Sequence, residues 1–172
     1  MQVVYTHFPL HPETPQEGMT LEALFEGRNL DIPAMHARMS KLMAEEGLPY
    51  GQRTHTYNSR LAQELGKWAS EQPGGDAIHN ALFKAYFVEG KNIGQVDALV
   101  QIAESIGLSG ATARDVLAQR KYKDAVDADW SRSREVGVTG VPTFVAGGYG
   151  LVGAQPYSVL EQLIRQVRQE DQ

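Results

Sequence analysis

The side chains best suited to chemistry near neutral pH are five histidines: His7, His11, His36, His55 and His79. Imidazole titrates close to neutrality and is a common metal ligand. The spacing supports no such use. His7 and His11 lie four apart, but prolines break that run, so the two cannot share a helix face. No carboxylate stands beside them at metal-ligand spacing, and they read as loop or surface residues with no metal bound. The chain has no cysteine, which removes disulfides, thiolate metal sites and any cysteine nucleophile. It also lacks a G-x-S-x-G elbow, an H-E-x-x-H pair and a phosphate loop with its lysine.

One stretch remains, "GVTGVPTFVAGG" at residues 137–148. Gly137 and Gly140 permit a close backbone approach or relieve a bend. Pro142 has no N–H, so it fits the first residue of a strand or a strand edge. A cis Val141–Pro142 bond is possible, but only about 5–6% of X–Pro bonds in folded proteins are cis. The residues alone therefore favour a trans proline that opens a strand.

The elements around this stretch follow from periodicity and punctuation. Residues 2–7 read as a strand, and the run with Pro9, Pro12 and Pro15 as extended or turning chain. From Thr20 the pattern is helical for over 100 residues. Asp31 is a predicted N-cap, followed by Ile32, Met35, Met39, Leu42 and Met43 on one face, with Gly47 as the stop. At helical spacing the Met35, Met39, Met43 series reads as core rather than as an adaptable groove. Asn58 is expected to cap the next helix, and Ser109 a later one. A hairpin is predicted where "TFVA" meets "YGLV" across Gly147 and Gly148. A final helix carries Val159, Leu160, Leu163, Ile164 and Val167 on one stripe.

Strands at both ends with helices between predict an α/β domain carrying an all-helical insertion. Residues 1–19 and 137–172 would form the first and residues 20–136 the second. The length of 172 residues suits that size, and 42% apolar with 22% charged residues is ordinary for a globular chain. The net charge of −5, with basic residues scattered among acids, argues against a nucleic-acid partner. No run approaches the ~18 apolar residues of a membrane span, and no secretory leader is seen. The expectation is a cytoplasmic protein without a membrane partner.

"GVTGVPTFVAGG" with "GLVGAQPYSVLEQLI" resembles the C-terminal half of DsbA-family thioredoxin-like oxidoreductases, in particular their FrnE-like branch. "FPLHPETPQEG", "YNSRLAQELGKWASEQ" and "ALFKAYFVEGKNIG" are similar to the same branch, so the resemblance covers essentially the whole chain. It implies a thioredoxin-like fold with a large helical insertion. It also implies a cis Pro142, with Gly140 and Val141 facing a catalytic dithiol, and Val141 pairing its backbone with an extended peptide or glutathione. In the related kappa-type glutathione transferases and chromene-carboxylate isomerases, the turn matching Gly153, Ala154 and Gln155 helps hold glutathione at a helix N-terminus. Those relatives tend to have polar or acidic residues where this chain has Ala154 and Gln155.

The family begins with a strand and a helix bearing C-x-x-C, whose first thiolate attacks. This chain starts where the family's second strand starts, and both cysteines are absent. The missing strand is the sheet's centre, and each unsatisfied buried group left behind costs about 1–3 kcal/mol. Three outcomes are then expected: pairing of residues 2–7 with 142–147, a strand supplied by a second copy in a homodimer, or a true start upstream of Met1. The expected function is a FrnE-like homologue with Gly140, Val141, Pro142, Ala154 and Gln155 as substrate-binding residues and no catalytic residue. A glutathione- or peptide-binding module, or a glutathione-dependent transferase or isomerase, is the alternative. No cofactor is expected beyond possible glutathione.

Overall fold

The computed structural model describes residues 3–170. The chain divides into two compact units, a terminal unit of Met1–Leu10 with Ala128–Gln172 and a helical unit of His11–Asp127.

The helical unit opens with a two-residue ladder. Strand β1 (Met19–Thr20) pairs antiparallel with β2 (His55–Thr56), in the register Met19↔Thr56 and Thr20↔His55. This ladder is too short to announce itself by alternation. Thr20 also caps the single turn α1 (Leu21–Leu24), its hydroxyl accepting from the Ala23 amide at 3.1 Å. Helix α2 (Ile32–Glu45) starts where Asp31 accepts from the Ala34 amide at 2.9 Å, with Pro33 in its first turn.

The predicted role of α2's methionine stripe is overturned. No residue of α2 is buried, and Met35, Met39 and Leu42 remain 43%, 43% and 44% exposed. Periodicity gave the helix correctly. It says nothing of whether a partner surface exists to cover the stripe.

The core lies among α3 (Arg60–Ser70), α4 (Ala77–Phe83), α5 (Val96–Ser105) and α6 (Gly110–Ala118), with α5 packed on α6. Leu65, Ile78, Leu99 and Ala113 there have no exposed surface. A π-helical turn over Lys84–Val88 continues α4. Ser109 caps α6 through the Thr112 amide at 3.2 Å, as its position predicts. At α3, Ser59 rather than Asn58 is the cap residue, although Asn58 Oδ1 still accepts from the Arg60 amide at 2.9 Å.

Glu64 on α3 is 1% exposed and is gripped from two sides. Arg60 Nε donates to its Oε1 at 2.8 Å, while Arg120 donates to Oε2 at 2.8 Å and to Oε1 at 2.6 Å. Arg120 follows α6 with φ of +51°, a left-handed backbone that places its guanidinium on the carboxylate.

Helix α7 (Lys123–Glu135), which belongs to the terminal unit from Ala128 on, leads to the hairpin of β3 (Thr143–Ala146) and β4 (Tyr149–Val152), then α8 (Tyr157–Glu170). Gly147 and Gly148 form the two-residue turn with φ of +56° and +83°. Both central residues of this turn class need positive φ, which favours glycine. A Cβ on Gly147 would also lie 2.7 Å from Val167 Cγ2 on α8.

The predicted strand at residues 2–7 is absent over residues 3–7, and residue 2 lies outside the described residues. Nor does that segment pair with residues 142–147, since among the described residues β3 pairs only with β4. A strand exists only through its partner. Here the His7 amide donates instead to Asp129 Oδ2 at 2.8 Å. Val3, Val4 and Tyr5 stay 68%, 74% and 54% exposed.

Candidate functional site

The two predicted parts of the site meet at one end of the hairpin. Its register sets Thr143 opposite Val152. One step further, the Gly153 amide donates to the Pro142 carbonyl at 2.7 Å. That bond brings Gly140–Pro142 alongside the turn carrying Ala154 and Gln155. The Val141–Pro142 peptide is cis.

Local bonds fix both parts. Thr143, which sequence reasoning did not single out, donates its hydroxyl to the Gly140 carbonyl at 2.7 Å and closes the bend before the strand. Gln155 Nε2 donates to the Val152 carbonyl at 2.7 Å, so this side chain serves its own turn. A threonine just after a Gly-x-Pro bend is the signal that could have pointed to the first bond, since short hydroxyl side chains often bond nearby backbone.

Val141, Pro142 and Ala154 are exposed, and Gly140 and Gln155 partly so. A Cβ added to Gly140 would meet nothing within 4 Å, so the approach to this bend is open. The Val141 N–H and C=O have no hydrogen-bond partner among the described residues. The β3 backbone is likewise unpaired on the side away from β4.

The segment is electrically neutral. From Gly137 to Tyr157 there is no Asp, Glu, Lys, Arg or His. It offers no acid, base or nucleophile, and no charge with which to grip an ion. What it offers is backbone donors and acceptors beside the apolar side chains of Val141, Phe144 and Val145. That inventory can recognise an extended chain, but it cannot by itself cleave or form a bond. Among the described residues, no cluster of three or more His, Asp or Glu is placed to hold a metal ion. No described helix is long and apolar enough to cross a membrane.

The sequence model of the DSBA-like thioredoxin domain matches residues 1–165. The protein YwbO of Bacillus subtilis (strain 168) is 35% identical over 111 residues, which cover 64% of this chain. The matched region spans 55% of YwbO, little more than half its length. Among solved structures, the probable DsbA oxidoreductase SCO1869 from Streptomyces coelicolor superposes with a TM-score of 0.90 at 29% identity. That superposition covers 98% of this chain and 76% of SCO1869. The cytosolic disulfide reductase DsbM from Pseudomonas aeruginosa, solved with GSH, gives a TM-score of 0.58 at 21% identity, covering 77% of this chain and 73% of DsbM.

Proposed function

Because this chain belongs to the family of DSBA-like thioredoxin domains, we propose that it is a FrnE-like member that keeps the substrate-holding half of a disulfide oxidoreductase site. Its fold is the thioredoxin-like α/β fold of that family. Residues 20–136 act in this reading as a helical insertion into a thioredoxin-like domain formed by residues 1–19 and 137–172. Gly140, Val141, Pro142, Ala154 and Gln155 are its substrate-binding residues.

The carrying observation is the exposed Val141, whose backbone donor and acceptor have no partner among the described residues. An extended peptide laid antiparallel to this segment would bond to Val141 as one more strand, with its side chains alternating over Val141 and Phe144. Thiol–disulfide exchange requires an attacking thiolate and passes through a mixed disulfide. None of these 172 residues is a cysteine, so the chain's own side chains bind and do not exchange.

Glutathione is the second ligand to weigh, because the DsbM neighbour was solved with it. Glutathione carries two carboxylates, and residues 137–157 hold no cation to meet them. The neutral segment favours a peptide held by its backbone. The cytosolic DsbM supports a cytoplasmic setting for this chain.

Amide NMR titrations with an unstructured apolar peptide and with reduced glutathione test the reading. The peptide is expected to shift the amides of Val141, Thr143 and Phe144. Val141→Pro, which deletes the N–H, is expected to weaken it about tenfold. Peptide shifts confined to other residues, or none, would refute the assignment. An insulin-reduction assay with dithiothreitol should show no rate above the uncatalysed one.

A further inference from the structure

The helical unit contains a groove of about 440 Å³, a size typical of small-molecule sites. Leu21, Ile32, Pro33 and Ala37 give it apolar walls, and His36 and Arg53 are its basic lining residues. Gly51 makes the shape possible. Its amide donates to the Phe87 carbonyl at 2.9 Å, and a Cβ there would lie 2.2 Å from the Val88 carbonyl oxygen.

Two buried side-chain nitrogens among the described residues have no hydrogen-bond partner, His36 Nδ1 and Arg53 Nε. Both belong to this lining. The guanidinium of Arg53 is held in place. Its carbon lies 4.6 Å from the Tyr86 ring centroid and 5.6 Å from that of Phe87. Its Nη1 donates to the Tyr86 hydroxyl and to the His55 carbonyl.

What Arg53 lacks is a counter-charge. Arg60, Arg114 and Arg120 each hold a carboxylate, whereas among the described residues no acid pairs with Arg53. Glu22 is the one acidic lining residue and is exposed. Nearby His11 is kept below its ordinary pKa by burial and by the charges of Arg28 and Arg53, which marks the surroundings as cationic. A second cavity of about 240 Å³ also has arginine in its lining, but there Arg60 and Arg120 are already bound to Glu64.

A half-buried cation without a counter-charge favours an anionic oxygen, and charge-assisted bonds are the stronger class. Because the Tyr86 and Phe87 rings and the two hydrogen bonds already immobilise the guanidinium, little further ordering is lost when a ligand arrives. We infer that this groove binds a small apolar carboxylate. Its oxygens accept from Arg53 Nε and from His36 when that ring carries its proton on Nδ1. Its hydrocarbon body lies against Leu21, Ile32 and Pro33. The inference does not rest on the peptide reading of the hairpin, whose reporter amides belong to different residues.

Octanoate is the probe, titrated into the intact 172-residue chain and followed by amide shifts at Ala37, Ser40 and Gln52, with octanol as the uncharged control. Saturable octanoate binding is expected with a Kd of about 1 mM or tighter, and octanol is expected to bind about tenfold more weakly. Ala37→Phe, placed on the exposed surface of α2, fills the groove and should abolish both. Arg53→Gln should weaken octanoate about tenfold and leave octanol unchanged. Absence of saturable shifts, equal affinity for acid and alcohol, or full binding by Ala37→Phe would overturn the inference.

Discussion

Glu64, 1% exposed between two arginines, is the residue whose charge the fold depends on most directly. Burial pushes its carboxyl up, but hydrogen bonds from Arg120 and Arg60 and their charges outweigh that and hold it below the ordinary range. A depressed folded pKa gives stability that is fully present above the unfolded carboxyl value of about 4.3 and lost as pH falls through the folded value. Glu64→Gln is therefore expected to cost about 3–5 kcal/mol at pH 7, because two guanidinium groups lose the buried counter-charge they share. The same variant should lose less stability than the parent between about pH 5 and pH 3. Urea titrations across that range decide it, and an unchanged pH slope would remove Glu64 from the account. Half of this cluster could be read in advance. Arg60 and Glu64 stand four apart on one helix, the spacing at which side chains meet. Arg120 lies 56 residues away, and no local pattern links it to Glu64.

At the scale of elements, caps and turns were readable because their chemistry is local. Asp31, Ser109 and the Gly147–Gly148 turn all act where their residue types predict. Asp31→Ala should cost about 1 kcal/mol of stability through the orphaned Ala34 amide. Gly147→Ala should cost about 1–3 kcal/mol, since it forces a side chain into positive φ and against Val167. Thermal or urea unfolding of each variant checks both values. The elements that misled depend on partners. An apolar stripe on α2 and a strand-like run at residues 2–7 are real patterns. Whether they are covered is decided by surfaces that lie elsewhere. Met39→Gln should accordingly change stability by no more than about 0.5 kcal/mol. A loss of 2–5 kcal/mol, the range for truncating a core side chain, would show that the stripe is covered in solution.

For the whole molecule, buried apolar surface is unevenly shared. Leu163 is the one buried hydrophobic residue among the described residues of the terminal unit, and the rest lie within His11–Asp127. Native-state hydrogen exchange should follow that division. Amides in α3, α5 and α6 are expected to open only with global unfolding, and those of Thr143–Val152 by cheaper local opening. Equal protection in the two sets would show that the hairpin is stabilised as well as the helical core. The family was readable from the sequence because several separate stretches, from "FPLHPETPQEG" to "GVTGVPTFVAGG", resemble its members in the same order along the chain. The Arg53 groove was not, since its residues come from α1, α2 and the loop before β2. One further consequence concerns the exposed methionines of α2. None of these 172 residues offers peroxide a thiol to oxidise, so their thioethers are the sulfur atoms open to attack. Met35 and Met39 are among the exposed residues of α2. Conversion to sulfoxide there would make this face of the helix polar while leaving the core untouched, a chemical mark the fold can carry without coming apart.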